Sequence, residues 1–428
     1  MNRFRLNAAR VYLFIEFASS AAFSMMFVVT SLYEATAAGL SPFQLVLVGT
    51  AVEASIFLFE VPTGVVADAY SRRLSIIIGY LLMGAGFLVE GLFPAFLPIL
   101  LAQVLWGLGY TFTSGATQAW ITDEIGEAPA NHLFLRAAQL GLFASLIGMG
   151  ASSLVGARNV ALPLQVGAML IMLIGVVLIF IMPETGFRPL PREDRNTWEH
   201  MGHTFKQGLQ AVRLSPRLIS IAGVGLFYGL YSEGFDRLWV KHLLDHFDLP
   251  VLFGNNQVAF FAALRIAGTL LTIPVLRIVE KRVDTGSPPA IGRAMLWITG
   301  GISTAMLLFA LSPAFAPLVF SLGMYLIVDI LREISEPLRT AWINQRLDSR
   351  VRATVHSMFG QVDAIGQVVG GPPVALIASI FAVKTAISTS ALLLTPAWFL
   401  IRRANHSTGG ADLPGMEPEP GSALSPAE

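Results

Sequence analysis

Five ionisable residues interrupt long apolar runs: Glu16, Glu53, Arg265, Asp329 and Asp363. A charge inside a membrane-spanning helix costs about 2.5–3.5 kcal/mol on insertion scales, so such residues are placed toward a cavity or a partner. Glu53 falls near the midpoint of its run, where no interface is within reach, and is the leading candidate for binding a proton or a cationic substrate. Glu16 lies in the inner third of its run, where a proton or substrate site and an acid reaching back to the inner surface are equally compatible. Arg265 and Asp363 sit at similar depth and are expected to pair, either as a structural tie between two helices or as a substrate contact. Glu60 follows Glu53 by two helical turns on the same face, which offers either an acid path toward one surface or a part in a latch there. Glu233 and Arg237 form an i, i+4 pair next to Asp236, read as a helix-end salt bridge or, more sharply, an outer gate.

The elements that carry these residues are apolar helices. The 428 residues are 54% hydrophobic and 13% charged, about half the charge of an average soluble chain, with a mean hydropathy of +0.65. Twelve runs of about 20 residues are long enough to span a bilayer. Their cores are 11–33, 43–66, 73–93, 96–120, 133–157, 161–182, 218–240, 256–279, 291–312, 315–335, 353–379 and 381–402. The fold class is therefore an all-α membrane protein with twelve transmembrane helices in two six-helix bundles. Residues 1–182 form the N-terminal bundle, 183–217 a polar cytoplasmic loop, 218–402 the C-terminal bundle and 403–428 a disordered cytoplasmic tail rich in Pro, Gly, Ser and acids.

Lys and Arg number 28, as do Asp and Glu. The zero balance leaves no basic field for nucleic acid. With the N-terminus inside, 23 of the 28 cations fall on inner flanks and only Arg158, Arg237, Lys241 and Lys384 on outer ones. Positive charge stays preferentially on the cytoplasmic side, so a multi-pass protein of the cell membrane with both termini cytoplasmic is expected. The halves also share words at equal ordinal positions. Ala119-Trp120-Ile121-Thr122 matches Ala341-Trp342-Ile343-Asn344, and the Pro62 to Asp68 spacing matches Pro274 to Glu280. Parallel repeats of this kind occur in secondary transporters.

Other chemistries find little support. The chain has no cysteine and no Gly-Lys dipeptide, hence no thiolate ligand and no P-loop. Two clusters, His242, Asp245, His246 and Asp248 in an outer loop and His200 with His203 in the central loop, carry metal-ligating types but are more economically solvated loop residues. No catalytic residue, cofactor or metal is assigned, and the chain is not expected to be an enzyme.

The string Gly64-Val65-Val66-Ala67-Asp68-Ala69-Tyr70-Ser71-Arg72-Arg73 resembles the loop signature between the second and third helices of the major facilitator superfamily. The neighbouring words Glu60-Val61-Pro62-Thr63-Gly64, Ser114-Gly115-Ala116 and Ser232-Glu233-Gly234-Phe235-Asp236-Arg237 are similar to its drug:proton antiporter branches. Two departures stand out: Ser71 occupies a usual Gly position, and Gln103 stands where those antiporters place an Arg. The resemblance implies a cavity between two bundles and rocker-switch alternating access, with Gln103 at a substrate or proton position. It also implies a latch of Gly64, Asp68, Arg72, Arg73 and Asp123 that holds the bundles together in the outward-facing state, with Asp68 meeting the amides of a neighbouring helix start and Arg72 and Arg73 pairing with Asp123 or Glu124. Read from the residues alone, Arg72 and Arg73 are equally positive-inside anchors with Asp68 a solvated cap, and Glu233, Asp236 and Arg237 stay as the helix-end pair or outer gate described above. The expected function is proton-coupled efflux of hydrophobic or amphipathic small molecules such as drugs. Proton-coupled uptake or exchange of an endogenous metabolite, or a non-transporting membrane sensor of the same fold, are the alternatives. The expected partners are a small-molecule substrate, protons and the lipid bilayer, with the chain a monomer.

Overall fold

The computed structural model describes residues 6–188, 212–213, 216–250, 256–344 and 349–406. The charge cluster Arg192–Arg195, His200 with His203, and the tail from 407 onward lie outside the described residues. Everything regular in the described chain is helical, in twelve long units. They are α1 (Ala8–Thr36), α2 (Pro42–Ala69), α3 (Arg72–Leu92), α4 (Phe96–Ile125), α5 (Glu127–Gly156) and α6 (Leu162–Ile181) in the first half. The second half has α7 (Pro216–His246), α8 (Gln257–Arg282), α9 (Pro288–Leu311), α10 (Leu318–Asn344), α11 (Ser349–Ile380) and α12, the pair Val383–Leu393 and Thr395–His406.

Local chemistry sets the boundaries. Ser41 opens α2 with a reciprocal cap, its hydroxyl accepting from the Gln44 amide while the Gln44 side chain accepts from the Ser41 amide. Ser71 accepts from the Leu74 amide at the start of α3. Gly115 adopts φ +70 between the two segments of α4, a conformation that favours glycine. α1 breaks at Val28 and Val29 before continuing over Thr30–Thr36.

The halves repeat the same packing. In the first, α1 packs on α5 and α6, α3 on α4 and α6, and α2 on α4; in the second, α7 packs on α11 and α12, α9 on α10 and α12, and α8 on α10. This correspondence is the architecture of two six-helix bundles. They meet where α2 packs on α7 and α11 and where α5 packs on α8.

α11 is continuous across Gly370-Gly371-Pro372-Pro373, and the two glycines let it lie against Leu230 of α7 and Thr50 of α2. Two local expectations are corrected. α12 runs to His406, so residues 403–406 are helical rather than tail. His242 is not in a loop: α7 continues past it, and the imidazole is buried against the Phe309 carbonyl at 3.2 Å.

The bundles are closed at the side away from the termini. There the Asn256 amide of α8 donates to the Ser153 carbonyl of α5 at 2.8 Å. A Cβ at Gly156 would lie 2.8 Å from Val258, so α5 and α8 are in backbone-close contact. On the terminal side, Gln361 of α11 reaches Glu60 of α2 at 3.5 Å.

Candidate functional site between the bundles

A cavity of about 300 Å³ lies between the halves. α1, α2, α3 and α4 supply Phe27, Thr30, Ser31, Glu53, Phe87, Gln103 and Trp106. α7, α8, α10 and α11 supply Glu233, Phe235, Asp236, Arg237, Trp239, Arg265, Tyr325, Asp329, Arg332 and Gln367. Two aromatic walls face each other. Phe27, Phe87 and Trp106 meet edge to face with centroids 5.8–6.3 Å apart, and Trp239 stacks on Tyr325 at 4.2 Å. Such walls accept an apolar body, and their ring faces attract cations.

The ionic pairing of the C-terminal half differs from expectation. Arg265 does not pair with Asp363. It faces Asp329 of α10 at 3.8 Å and lies 5.9 Å over the Trp239 ring. Asp363 is taken by Arg339 at 3.0 Å and accepts from Gln367 at 2.9 Å. The reason is lateral order: α8 packs on α10, so Arg265 meets the α10 acid at its own depth. Arg332, also on α10, grips Asp236 with both guanidinium nitrogens, one at 2.7 Å. A double-mutant cycle checks this order by thermal unfolding. Arg265→Ala with Asp329→Ala should show a coupling of about 0.5–1 kcal/mol for a partly exposed pair. Arg265→Ala with Asp363→Ala should be additive, and coupling there instead would reinstate the original pairing.

Glu233 and Arg237 do pair, at 3.7 Å, but not at the outer surface. The Glu233 side chain is 4% exposed and both residues line the cavity. Their contact with the other bundle runs over Gly49 of α2, where a Cβ would strike Glu233 Oε2 and Arg237 Nε. Only a glycine admits that approach. Arg237 is also the positive charge nearest in effect to Glu34 and Glu53.

The remaining sequence candidates are dispersed. Gln103 is buried and donates to the Glu90 carboxylate at 2.5 Å. Glu60 contacts Gln361 and is not among the cavity residues, so Glu53 and Glu60 do not both face the cavity. Glu16 sits beside Tyr12, also off the cavity wall. The loop group is intact but lies wholly within the N-terminal bundle: Arg72 pairs with Asp123 and, at 3.5 Å, with Asp68. Arg73 does not pair with Asp123 or Glu124; its side chain donates to the Ile179 carbonyl. The amide at the start of α3 is served by Glu184, which accepts from Arg73 N at 2.9 Å, and not by Asp68. A Cβ at Gly64 would meet nothing within 4 Å.

Sequence reading missed Glu34, Glu90 and Arg332. Glu34 and Glu90 fall at the ends of apolar runs, where an acid looks interfacial, yet both are 0% exposed. Arg332 counted as an inner-flank cation and in fact lines the cavity. The available signal was the charge series Asp329, Arg332, Glu333, Glu336, Arg339 on one helix.

The model of the Major Facilitator Superfamily matches residues 12–371. The chain belongs to the Major Facilitator Superfamily. Within the superfamily it is similar to the uncharacterized MFS-type transporter YxaM of Bacillus subtilis (strain 168), 25% identical over 369 residues that cover 84% of this chain and 85% of the relative. Its fold is similar to the nucleoside transporter NupG, with a TM-score of 0.69, 13% identity, and 93% and 99% of the two chains covered. It is also similar to a bacterial homolog of the human lysosomal transporter Spinster in an inward-facing, unoccupied conformation, with a TM-score of 0.70, 16% identity, and 94% and 97% covered. The protein is thus a multi-pass membrane transporter of the superfamily.

Proposed function

We infer that this transporter exports amphipathic organic cations in exchange for protons, by alternating access between its two bundles. The observation that carries the reading is the charge count of an aromatic-walled cavity. Glu53, Glu233, Asp236 and Asp329 face Arg237, Arg265 and Arg332, and the buried Glu34 and Glu90 stand just behind the wall. Asp236 and Asp329 have guanidinium partners in α10 and α8, and Arg237 serves Glu233. Glu53 is left facing the cavity with no ion-pair partner of its own among the described residues. A protonated amine with an apolar body fits that arrangement: the charge meets Glu53 and the body meets Phe27, Phe87 and Trp106. A proton on Glu53 satisfies the same negative charge, so cation and proton compete for one group, which is the requirement of antiport.

The positive-inside distribution supports cytoplasmic termini, hence a far side that faces outward and a structure closed to the outside. On this reading, Arg72, Asp68 and Asp123 are free to engage the C-terminal bundle only when the cytoplasmic side closes. A second reading, proton-coupled uptake or exchange of an endogenous metabolite, draws on the polar groups Thr30, Ser31, Gln103 and Gln367 in the same cavity.

Purified protein in proteoliposomes, with ethidium as the probe, separates them. Ethidium movement against its gradient that stops when a protonophore collapses the pH gradient supports export. Ethidium movement indifferent to the gradient removes proton coupling, and accumulation of a polar metabolite in the direction of the proton gradient selects the second reading.

A further inference from the structure

Glu34 and Glu90 are not on the cavity surface, and the exchange described above does not use them. Glu34 sits on the far-side segment of α1, just before the turn in which the Leu40 amide returns to the Glu34 carbonyl at 2.9 Å. Glu90 is in the last turn of α3, where the Tyr33 hydroxyl donates to its backbone carbonyl at 2.7 Å. Both side chains are completely buried. Neither carboxyl oxygen of Glu34 has a hydrogen-bond partner, and Glu90 has one oxygen in the same condition. The other oxygen of Glu90 accepts from Gln103, which lines the cavity.

The groups facing this pair are few. α1 contributes Tyr33 beside Glu34, and α3 contributes Glu90. α4 offers the uncharged amide of Gln103, and α6 offers Gln165, whose amide is spent on the Gly91 carbonyl at 2.7 Å. α2 presents Gly49, with Glu53 one turn deeper. Among the described residues the single cation is Arg237, which comes from the other bundle and is already engaged with Glu233. One guanidinium cannot neutralise Glu34, Glu90, Glu233 and Glu53 together. An ionised carboxylate enclosed with no donor is strongly disfavoured, and a proton is the guest that removes the charge without needing space.

Arg237 reaches this region only because α7 is drawn over Gly49, a contact that belongs to the closed far side. Opening that side would lift Arg237 away and admit water to Glu34 and Glu90, where the carboxylates are solvated as anions. Closing it again must return their protons. We propose that Glu34 and Glu90 form a proton-binding site distinct from the Glu53 cavity, loaded from the far side as the bundles close there and emptied to that side as they open. The step is a proton transfer only: hydronium at the far side gives its proton to each carboxylate that is buried and leaves as water. The proposal rests on the alternating-access reading above, and adds to the Glu53 exchange a second proton site that follows the state of the far side.

The chain has no cysteine, so a pair of spin labels at Ala37→Cys and Asp248→Cys, both exposed far-side positions, reports bundle separation without background. In the full chain in nanodiscs, lowering the pH from about 8 to about 5.5 should raise the closed far-side population about threefold or more. Glu34→Gln with Glu90→Gln, which mimics the loaded site, should be closed at both pH values. Glu90→Gln alone should weaken the response while preserving the fold, since Gln103 can still donate to its carbonyl oxygen. A parent chain indifferent to pH, or a Glu90→Gln chain and a double variant that both respond as the parent does, overturns the proposal. The distances need no substrate, so a failure to move ethidium counts against the export reading and not against this site.

Discussion

Glu53→Gln is expected to lower gradient-driven transport about a hundredfold, equivalent to about 2.7 kcal/mol of lost coupling, while leaving the melting temperature close to that of the parent. Gln keeps the shape of the side chain and its hydrogen-bonding reach into the cavity that Glu53 lines, so the surrounding packing is preserved. It cannot carry a negative charge, and it cannot exchange a proton at working pH. Both partners of the proposed exchange therefore lose their shared group. Facilitated exchange of ethidium down its own gradient should suffer less, because the aromatic walls of Phe27, Phe87 and Trp106 remain. Parent-level transport against a gradient in the Gln variant would take Glu53 out of the mechanism.

The largest effect on stability is expected at Arg237. Its guanidinium is the counter-charge of Glu233 and the positive charge closest in effect to Glu34 and Glu53, and among the described residues no other cation reaches that group across the bundle interface. Arg237→Ala should cost about 3–5 kcal/mol, the usual consequence of stranding one side of a buried pair. A second change, Glu233→Gln, removes the stranded charge and should restore about 1–2 kcal/mol. Thermal unfolding of the three variants in one detergent checks both signs. An Arg237→Ala chain as stable as the parent would mean that the acids in this region are already neutral without it.

The sequence made the twelve helices legible, because a 20-residue apolar run has few alternatives in length and none in backbone satisfaction. Glu53 was legible for the same reason: a lone acid in mid-run has nowhere to go but inward. Lateral relations were not. Arg265 and Asp363 sit at matching depths, and depth is all that a hydropathy trace reports; that α10 stands next to α8 and supplies Asp329 is a property of the bundle. Glu34 and Glu90 were hidden by a related limit. An acid near the end of a run looks solvated until the turn at Leu40 and the side of α4 bearing Gln103 close over it. Arg237 was assigned to the surface on the same grounds and proved to be central, because the approach that buries it depends on Gly49 of a helix in the other half.

Eleven helices among the described residues are long and apolar enough to cross a membrane by length and composition; α10 is not one of them. It carries Asp329, Arg332, Glu333, Glu336 and Arg339 within three turns, and each would cost about 2.5–3.5 kcal/mol at the bilayer centre if the helix were delivered alone. Three of the five have partners on other helices: Arg265 on α8, Asp236 on α7 and Asp363 on α11. Two of those helices emerge from the ribosome before α10 and one after. The charges of α10 are thus matched only when α7, α8 and α11 stand beside it. Changes at Asp236 or Arg265 are then expected to lower the amount of chain inserted as well as to alter the finished carrier, by leaving α10 without the charges that receive it.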